Sequence, residues 1–265
     1  MRAASHLLLN TPDIEIWPGG LLRARSNHDA RALSRARHVL RRKRDGQYLA
    51  ADLPEGLLAL VPRLRREAGI EVALALLDHL AEPRRAGLDT IGELPLERLQ
   101  ERLHSLGLDH GYGERTGLPL VAEPVALALA GFDRFRRPLW LVSPAARAWR
   151  SMQAAALHDG VVLESISGYR GHDYQLGIFE RKLARGLTVD EILTVNAAPG
   201  YSEHHSGRAL DIGTLDEPPA EESFERTGAF AWLRDNAAGY GFVMSYPRDN
   251  PHGIVYEPWH WRFDA

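Results

Sequence analysis

The chain has 265 residues, 45% of them apolar, and 32 Lys and Arg against 35 Asp and Glu give a formal net charge of −3. That length can bury one sizeable core or two small ones, and no apolar run approaches the roughly 20 residues that span a bilayer. With no cysteine, disulfides and thiolate metal sites are excluded, so any transition-metal site must be built from His, Asp and Glu.

The leading MRAASHLLLNTPDIEIWPGG has only a few consecutive apolar residues before polar, Pro and Gly positions, so no secretory signal is expected; the cytoplasm is the expected compartment, with the periplasm or release by another route as the alternative. From Arg23 to Arg44 the chain is arginine-rich and ends in RRKR (Arg41, Arg42, Lys43, Arg44) before the turn signal Asp45-Gly46. This reads as a solvated helix face or as an electrostatic footprint for an anionic polymer. Without aromatic interleaving or a nucleic-acid motif, no nucleic-acid partner is expected. Leu57 to Arg66, Ile70 to Leu80 and Leu96 to Leu106 are apolar at spacings near three and four and punctuated by Pro54, Pro83, Gly87 and Pro95, which predicts amphipathic helices. Residues 1–117 are therefore expected to form a mainly helical region, closed by a polar, glycine-rich linker, DHGYGERTGLP (109–119).

Beyond it, over 118–265, helices alternate with strands. Ser143-Pro144 starts a helix over about 144–158, VVLESIS is a strand ending at Gly168, and Leu176, Phe179 and Leu183 mark a helix that stops at Gly186. Thr188 with Glu191 forms a capping-box pattern, Thr227 to Ala238 is a further helix, and FVMSY a further strand. The pattern predicts an α+β domain with helices packed on a small sheet.

The stretch SEHHSGRALDI (202–212) places adjacent histidines ahead of an aspartate. Read as extended chain, Leu210 and Ile212 face the core, Ala209 and Asp211 the other side, and His204 rather than His205 shares a cation with Asp211. Alone, the segment equally fits two surface histidines and a solvated aspartate. YEPWHWRF (256–263) adds Glu257 three residues before His260, among aromatics that exclude water. A catalytic zinc site needs three N or O ligands, an open position and a carboxylate to take a proton from water. His204, Asp211 and His260 supply the ligands, and Glu257 the base.

These residues carry a family resemblance. SEHHSGRALD and EPWHWRF, with SGYRGHDYQ (167–175) upstream, resemble the signatures of the zinc D,D-carboxypeptidases and D,D-dipeptidases that act on peptidoglycan and in vancomycin resistance. The resemblance covers roughly residues 120–265. It implies the small antiparallel sheet with helices shared by D,D-peptidases and Hedgehog domains, zinc on His204, Asp211 and His260, and Glu257 as general base. Relatives often carry glutamine where His205 stands, which sets it behind the ligands. Arg170 would steady the oxyanion or bind a terminal carboxylate, and Ser202, Tyr201 and Gln175 are candidate substrate contacts. His172 and His252 are expected to be no ligands. The expected substrates are peptidoglycan stem peptides. D,D-carboxypeptidase, L,D-carboxypeptidase, dipeptidase and endolysin-type endopeptidase activities all remain open, as does oligomeric state. A non-haem iron oxygenase would space its His and carboxylate more closely than 204 and 211 and would not need Glu257. A non-catalytic zinc module would leave Glu257 unexplained.

Overall fold

Short apolar runs dominate the start of the chain, and they pair as successive antiparallel strands. β1 (Leu7–Asn10), β2 (Ile14–Pro18), β3 (His38–Arg42), β4 (Tyr48–Leu53) and β5 (Gly56–Ala59) are joined by β6 (Ala126–Phe132), which lies against β1, in the order β5-β4-β3-β2-β1-β6. The computed structural model describes residues 6–81, 92–108, 111–193 and 197–265. They divide into an N-terminal unit of Met1–Leu94 with Pro124–Leu129, and a C-terminal unit of Pro95–Glu123 with Ala130–Ala265.

In the N-terminal unit Leu9, Ile14, Ile16, Leu40 and Leu49 form one core, covered by Ile70 and Ala73 of a helix over Ile70–Ala81. A short helix, α1 (Asn27–Leu33), precedes that helix, α2, and is capped by Ser26, whose hydroxyl accepts from Asp29 N. Glu15 and Arg41 sit directly opposite across β2 and β3 and pair at 2.5 Å, and Trp17 Nε1 donates to the same carboxylate at 2.7 Å. Arg42 forks onto Asp45 and Glu67, each at 2.6 Å. The RRKR end of the basic run is thus strand and hairpin, and Arg41 and Arg42 hold carboxylates within the unit.

This corrects several expectations. The N-terminal region has helices at 70–81 and 97–105, where spacing puts them, but the helical reading leaves out its sheet. The helix expected over 57–66 is β5 followed by a single 3-10 turn, Leu64–Arg66. LLALV carries consecutive apolar residues that fit either period, and the hairpin formed with β4 decides for strand. Pro83 and Gly87, invoked as helix breakers, lie outside the described residues, as do Asp109 and His110 of the expected linker. The rest of that linker contains helix α4 (Gly111–Thr116), whose Tyr112 is buried and whose hydroxyl accepts from Ala198 N at 3.2 Å.

In the C-terminal unit, α3 (Glu97–Ser105) and α4 pack Leu99, Leu103 and Tyr112 with Leu176, Phe179, Ile192 and Tyr201 in one core. Strand β7 (Pro138–Leu141) leads into α5 (Ser143–His158), which starts with a proline in its first turn. Then follow β8 (Glu164–Ser167), α6 (His172–Leu183), α7 (Val189–Leu193), β9 (Ala209–Gly213), α8 (Gly228–Asn236), β10 (Phe242–Met244) and β11 (His260–Phe263). The capping box forms as expected, with Thr188 N donating to Glu191 Oε2 at 2.8 Å and Glu191 N to Thr188 Oγ1 at 3.3 Å. The four strands make an antiparallel sheet in the order β10-β11-β9-β8, the expected α+β arrangement. No helix among the described residues is long and apolar enough to cross a membrane.

Because α3 and α4 belong to the C-terminal core, a fragment starting at Pro95 should resist urea better than one starting at Leu118. The shorter fragment lacks Leu99, Leu103, Leu108 and Tyr112, and losing buried leucines at about 2–5 kcal/mol each should leave it unfolded or partly folded. Equal midpoints would show that α3 and α4 contribute nothing to that core.

Candidate metal centre

Strand register sets the first contact. β11 pairs with β9 so that His260 stands directly across from Asp211, a separation at which opposed side chains touch. The His260 Nδ1 to Asp211 Oδ1 distance is 3.1 Å. The third group comes from the 3-10 turn Glu203–Ser206, which ends at Gly207 in the left-handed region, φ 65°, and there turns into β9. That turn replaces the extended chain expected between Gly200 and Gly207. His204 Nε2 lies 3.2 Å from Asp211 Oδ1, and the two histidine rings meet edge to face with centroids 4.9 Å apart. One ligand atom each from His204, Asp211 and His260 falls within 4.8 Å of the others, and all three residues are buried.

The outward nitrogens of the two rings decide which atoms face inward. His204 Nδ1 lies 2.7 Å from the Gly168 carbonyl, which can only accept, so Nδ1 carries the proton and Nε2 offers its lone pair. Gly168 has to be glycine: a Cβ there would lie 2.7 Å from Leu139 Cδ1 and 3.0 Å from the Trp140 carbonyl oxygen. His260 Nε2 lies 2.9 Å from Glu203 Oε2, which leaves Nδ1 facing Asp211.

Electrostatics sort the groups. Burial and the charge of Arg170 push His204 down to about 4. Burial favours protonated Asp211, but His204 and His260 outweigh it and hold the carboxyl well below the usual carboxylate range. His260 is pushed up to about 9 against its own burial, because the carboxylates of Asp211 and Glu203 bond both its nitrogens. Glu257 Oε2 stands 3.9 Å from His260 Nδ1, and burial, with the charge of Asp211, pushes it up to about 7. The centre therefore combines a neutral imidazole, an imidazole whose cationic form is favoured, a committed anion and a carboxyl group poised near neutrality.

Arg170 is held by its backbone: its N–H donates to the His204 carbonyl at 3.3 Å and its carbonyl accepts from His205 Nδ1 at 2.6 Å. Its Nε is buried with no hydrogen-bond partner among the described residues. His205 Nε2 accepts from Gly200 N at 3.1 Å, so both nitrogens of that ring are used and it points away from the ligand group. Ser202, Tyr201 and Gln175 are buried. Tyr201 packs edge-on against Tyr112 with centroids 4.8 Å apart, while Gln175 Nε2 donates to the Ala197 carbonyl at 3.2 Å. His172 and His252 bond the carbonyls of Val121 and Thr116 and lie outside the ligand group, as expected. Of the aromatics expected to pack in the core beside His260, Trp261 and Phe263 are buried, whereas Trp259 is only partly buried. Sequence reading missed Glu203, whose partner His260 is 57 positions on, and Tyr246, whose ring lies 4.7 Å from the His260 ring. The one available signal was a carboxylate next to His204.

The chain is also similar to known proteins. Residues 139–265 match the model of the VanY family, described as D-alanyl-D-alanine carboxypeptidase. The chain is 33% identical over 176 residues to YodJ of Bacillus subtilis (strain 168), covering 63% of this chain and 63% of the relative's length, less than two thirds of it. It is 32% identical over 148 residues to the bifunctional D-Ala-D-Ala dipeptidase and D-Ala-D-Ala carboxypeptidase VanXYC of Enterococcus gallinarum, covering 53% of this chain and 75% of that protein. Among solved structures, the LdcB LD-carboxypeptidase superposes with a TM-score of 0.51 at 32% identity, over 55% of this chain and 71% of the other.

His204→Ala should abolish stoichiometric binding of a divalent cation, read by elemental analysis after dialysis. His205→Gln should spare it, and equal losses would reassign the ligand. In metal-stripped protein His204 and His205 stay neutral when folded, whereas the unfolded chain protonates them below its ordinary histidine range. Stability therefore falls as pH drops from about 6.5, by up to about 1.4 kcal/mol per pH unit for each such histidine. His205→Gln should make that acid slope shallower by one such increment in urea titrations between about pH 6 and pH 5. An unchanged slope would mean that His205 is protonated in the folded state.

Proposed function

Because the chain belongs to the VanY family of D-alanyl-D-alanine carboxypeptidases, we propose that it is a zinc metallopeptidase that hydrolyses D-alanine-containing bonds of peptidoglycan stem peptides. The observation that carries this reading is the convergence of His204, Asp211 and His260 with Glu257 3.9 Å from His260. Two nitrogen donors and one carboxylate, with no thiolate in the chain, suit zinc with a position left open. The fit is also electrostatic, since His260 lies between the carboxylates of Asp211 and Glu203, where a cation is favoured. His204 Nε2, His260 Nδ1 and an Asp211 oxygen would hold the ion.

Bound zinc supplies a Lewis acid that polarises the scissile carbonyl and acidifies water. Glu257 accepts a proton from the attacking water and returns it to the leaving amine, a task suited to a carboxyl pushed up to about 7. Arg170 brings a permanent charge whose buried Nε has a hydrogen bond to give, either to the developing oxyanion or to the substrate's terminal carboxylate. Gln175 has a buried Oε1 without a partner among the described residues, an acceptor for a substrate N–H, and Ser202 adjoins the ligand turn. Tyr201 supports the wall through Tyr112.

The similarity to the LdcB LD-carboxypeptidase favours a second specificity, cleavage of an L,D bond after the terminal D-alanine is removed. Incubation with zinc and muropeptides of graded stem length, with products identified by mass, separates the two: loss of alanine from pentapeptide stems marks D,D activity, and loss from tetrapeptide stems marks L,D activity. Release of neither overturns the peptidase reading. Glu257→Gln should retain zinc while turnover falls roughly 10²- to 10⁴-fold. Loss of zinc would make Glu257 a ligand, and retained turnover would give the proton transfer to another group.

A further inference from the structure

Behind the ligand group lies a carboxylate that peptide hydrolysis does not itself use. Glu203 begins the 3-10 turn that carries His204, and its side chain is only 12% exposed. Its two oxygens have separate partners: Oε2 lies 2.9 Å from His260 Nε2, and Oε1 accepts from Arg262 Nη1 at 3.1 Å. Arg262 belongs to the same strand as His260 and also pairs with Asp264 Oδ2 at 3.2 Å. The imidazole of His260 is thus bonded at both nitrogens, with Asp211 at Nδ1 and Glu203 at Nε2, and the buried Tyr246 ring lies along it at 4.7 Å and 32°.

We propose that Glu203 is the positioning residue of the metal centre. Its carboxylate, neutralised by Arg262, holds the proton of His260 on Nε2 and so fixes the tautomer and ring orientation that offer Nδ1 to the ion. It also makes Nδ1 a stronger donor, because a hydrogen bond from Nε2–H to an anion moves electron density into the ring. Glu203 is not a fourth ligand, since it meets His260 at the nitrogen turned away from Asp211. The two histidines differ here. His204 is oriented by the Gly168 backbone carbonyl, an acceptor that side-chain substitution cannot remove. His260 depends on a side chain 57 positions away.

The inference rests on the zinc reading above, and zinc affinity tests the two separately. In the full-length chain, competition with a chromophoric chelator gives the zinc dissociation constant for wild type, Glu203→Ala and Glu203→Gln. Glu203→Ala should weaken zinc roughly 10- to 100-fold. Glu203→Gln, whose amide oxygen still accepts from Nε2–H without the charge, should weaken it less. A purely structural Glu203 would lower the melting temperature of the metal-stripped protein and leave the zinc affinity of the folded protein unchanged. Zinc affinity within twofold of wild type in folded Glu203→Ala overturns the proposal. If Glu203→Ala does not fold, affinity within twofold of wild type in Glu203→Gln does so. A wild-type chain that binds no stoichiometric zinc overturns the metal reading itself.

Discussion

The pairing of His260 with Asp211 across β11 and β9 is the constraint from which the rest of the centre is built. A one-residue slip of β11 against β9 would turn His260 to the face of the sheet opposite Asp211 and separate them. The neighbouring pairs guard the register: Trp261 faces Leu210 and Arg262 faces Ala209, and all but Arg262 are buried. Ladder hydrogen bonds and core packing thus bring these two candidate ligands together. Only His204 has to be delivered by a turn, and Gly207 lets that turn lead straight into β9.

Two adjacent histidines divide two tasks. His204 faces the centre, while its carbonyl accepts from Arg170 N–H. His205 faces the other way and takes the Arg170 carbonyl on Nδ1 and the Gly200 N–H on Nε2. The Arg170 backbone is therefore held at both its N–H and its carbonyl by the His204–His205 segment. Glutamine can also donate and accept at once, which is a physical reason for it to serve in place of His205.

The convergence of His204, Asp211 and His260 was legible because coordination chemistry narrows the choice: without cysteine, few combinations of His and Asp or Glu beside aromatics fit a catalytic site. Helices with clear spacing, such as α2, α3 and α5, were legible for the same kind of reason, a strong period. The N-terminal sheet was not, since strands of four to six residues such as LLLN and GLLA are too short to separate the two periods. A polar, glycine-rich sequence hid α4, because what holds that helix is Tyr112 meeting Ala198 and Tyr201 from far along the chain. Glu203 was invisible for a similar reason: as a neighbour of His204 it looks solvated, and only folding reveals its bond to His260.

Three carboxylates surround His260, and their environments separate their chemistry. Asp211, between two histidines, is driven to the ionised form and suits a permanent ligand. Burial acts against ionised Glu203 too, but its bonds to His260, with the charge of Arg262, keep it below its ordinary value, so it remains an acceptor for Nε2–H. Glu257 has no short hydrogen bond to a ring nitrogen, so burial, with the charge of Asp211, outweighs the pull of His260 and Arg170 and raises it to about 7. Groups of one residue type acquire different roles when their surroundings push their proton affinities apart. Here the separation follows from hydrogen-bond partners: a carboxylate held by several donors is committed to its charge, and the one whose burial outweighs its charged neighbours is free to exchange a proton.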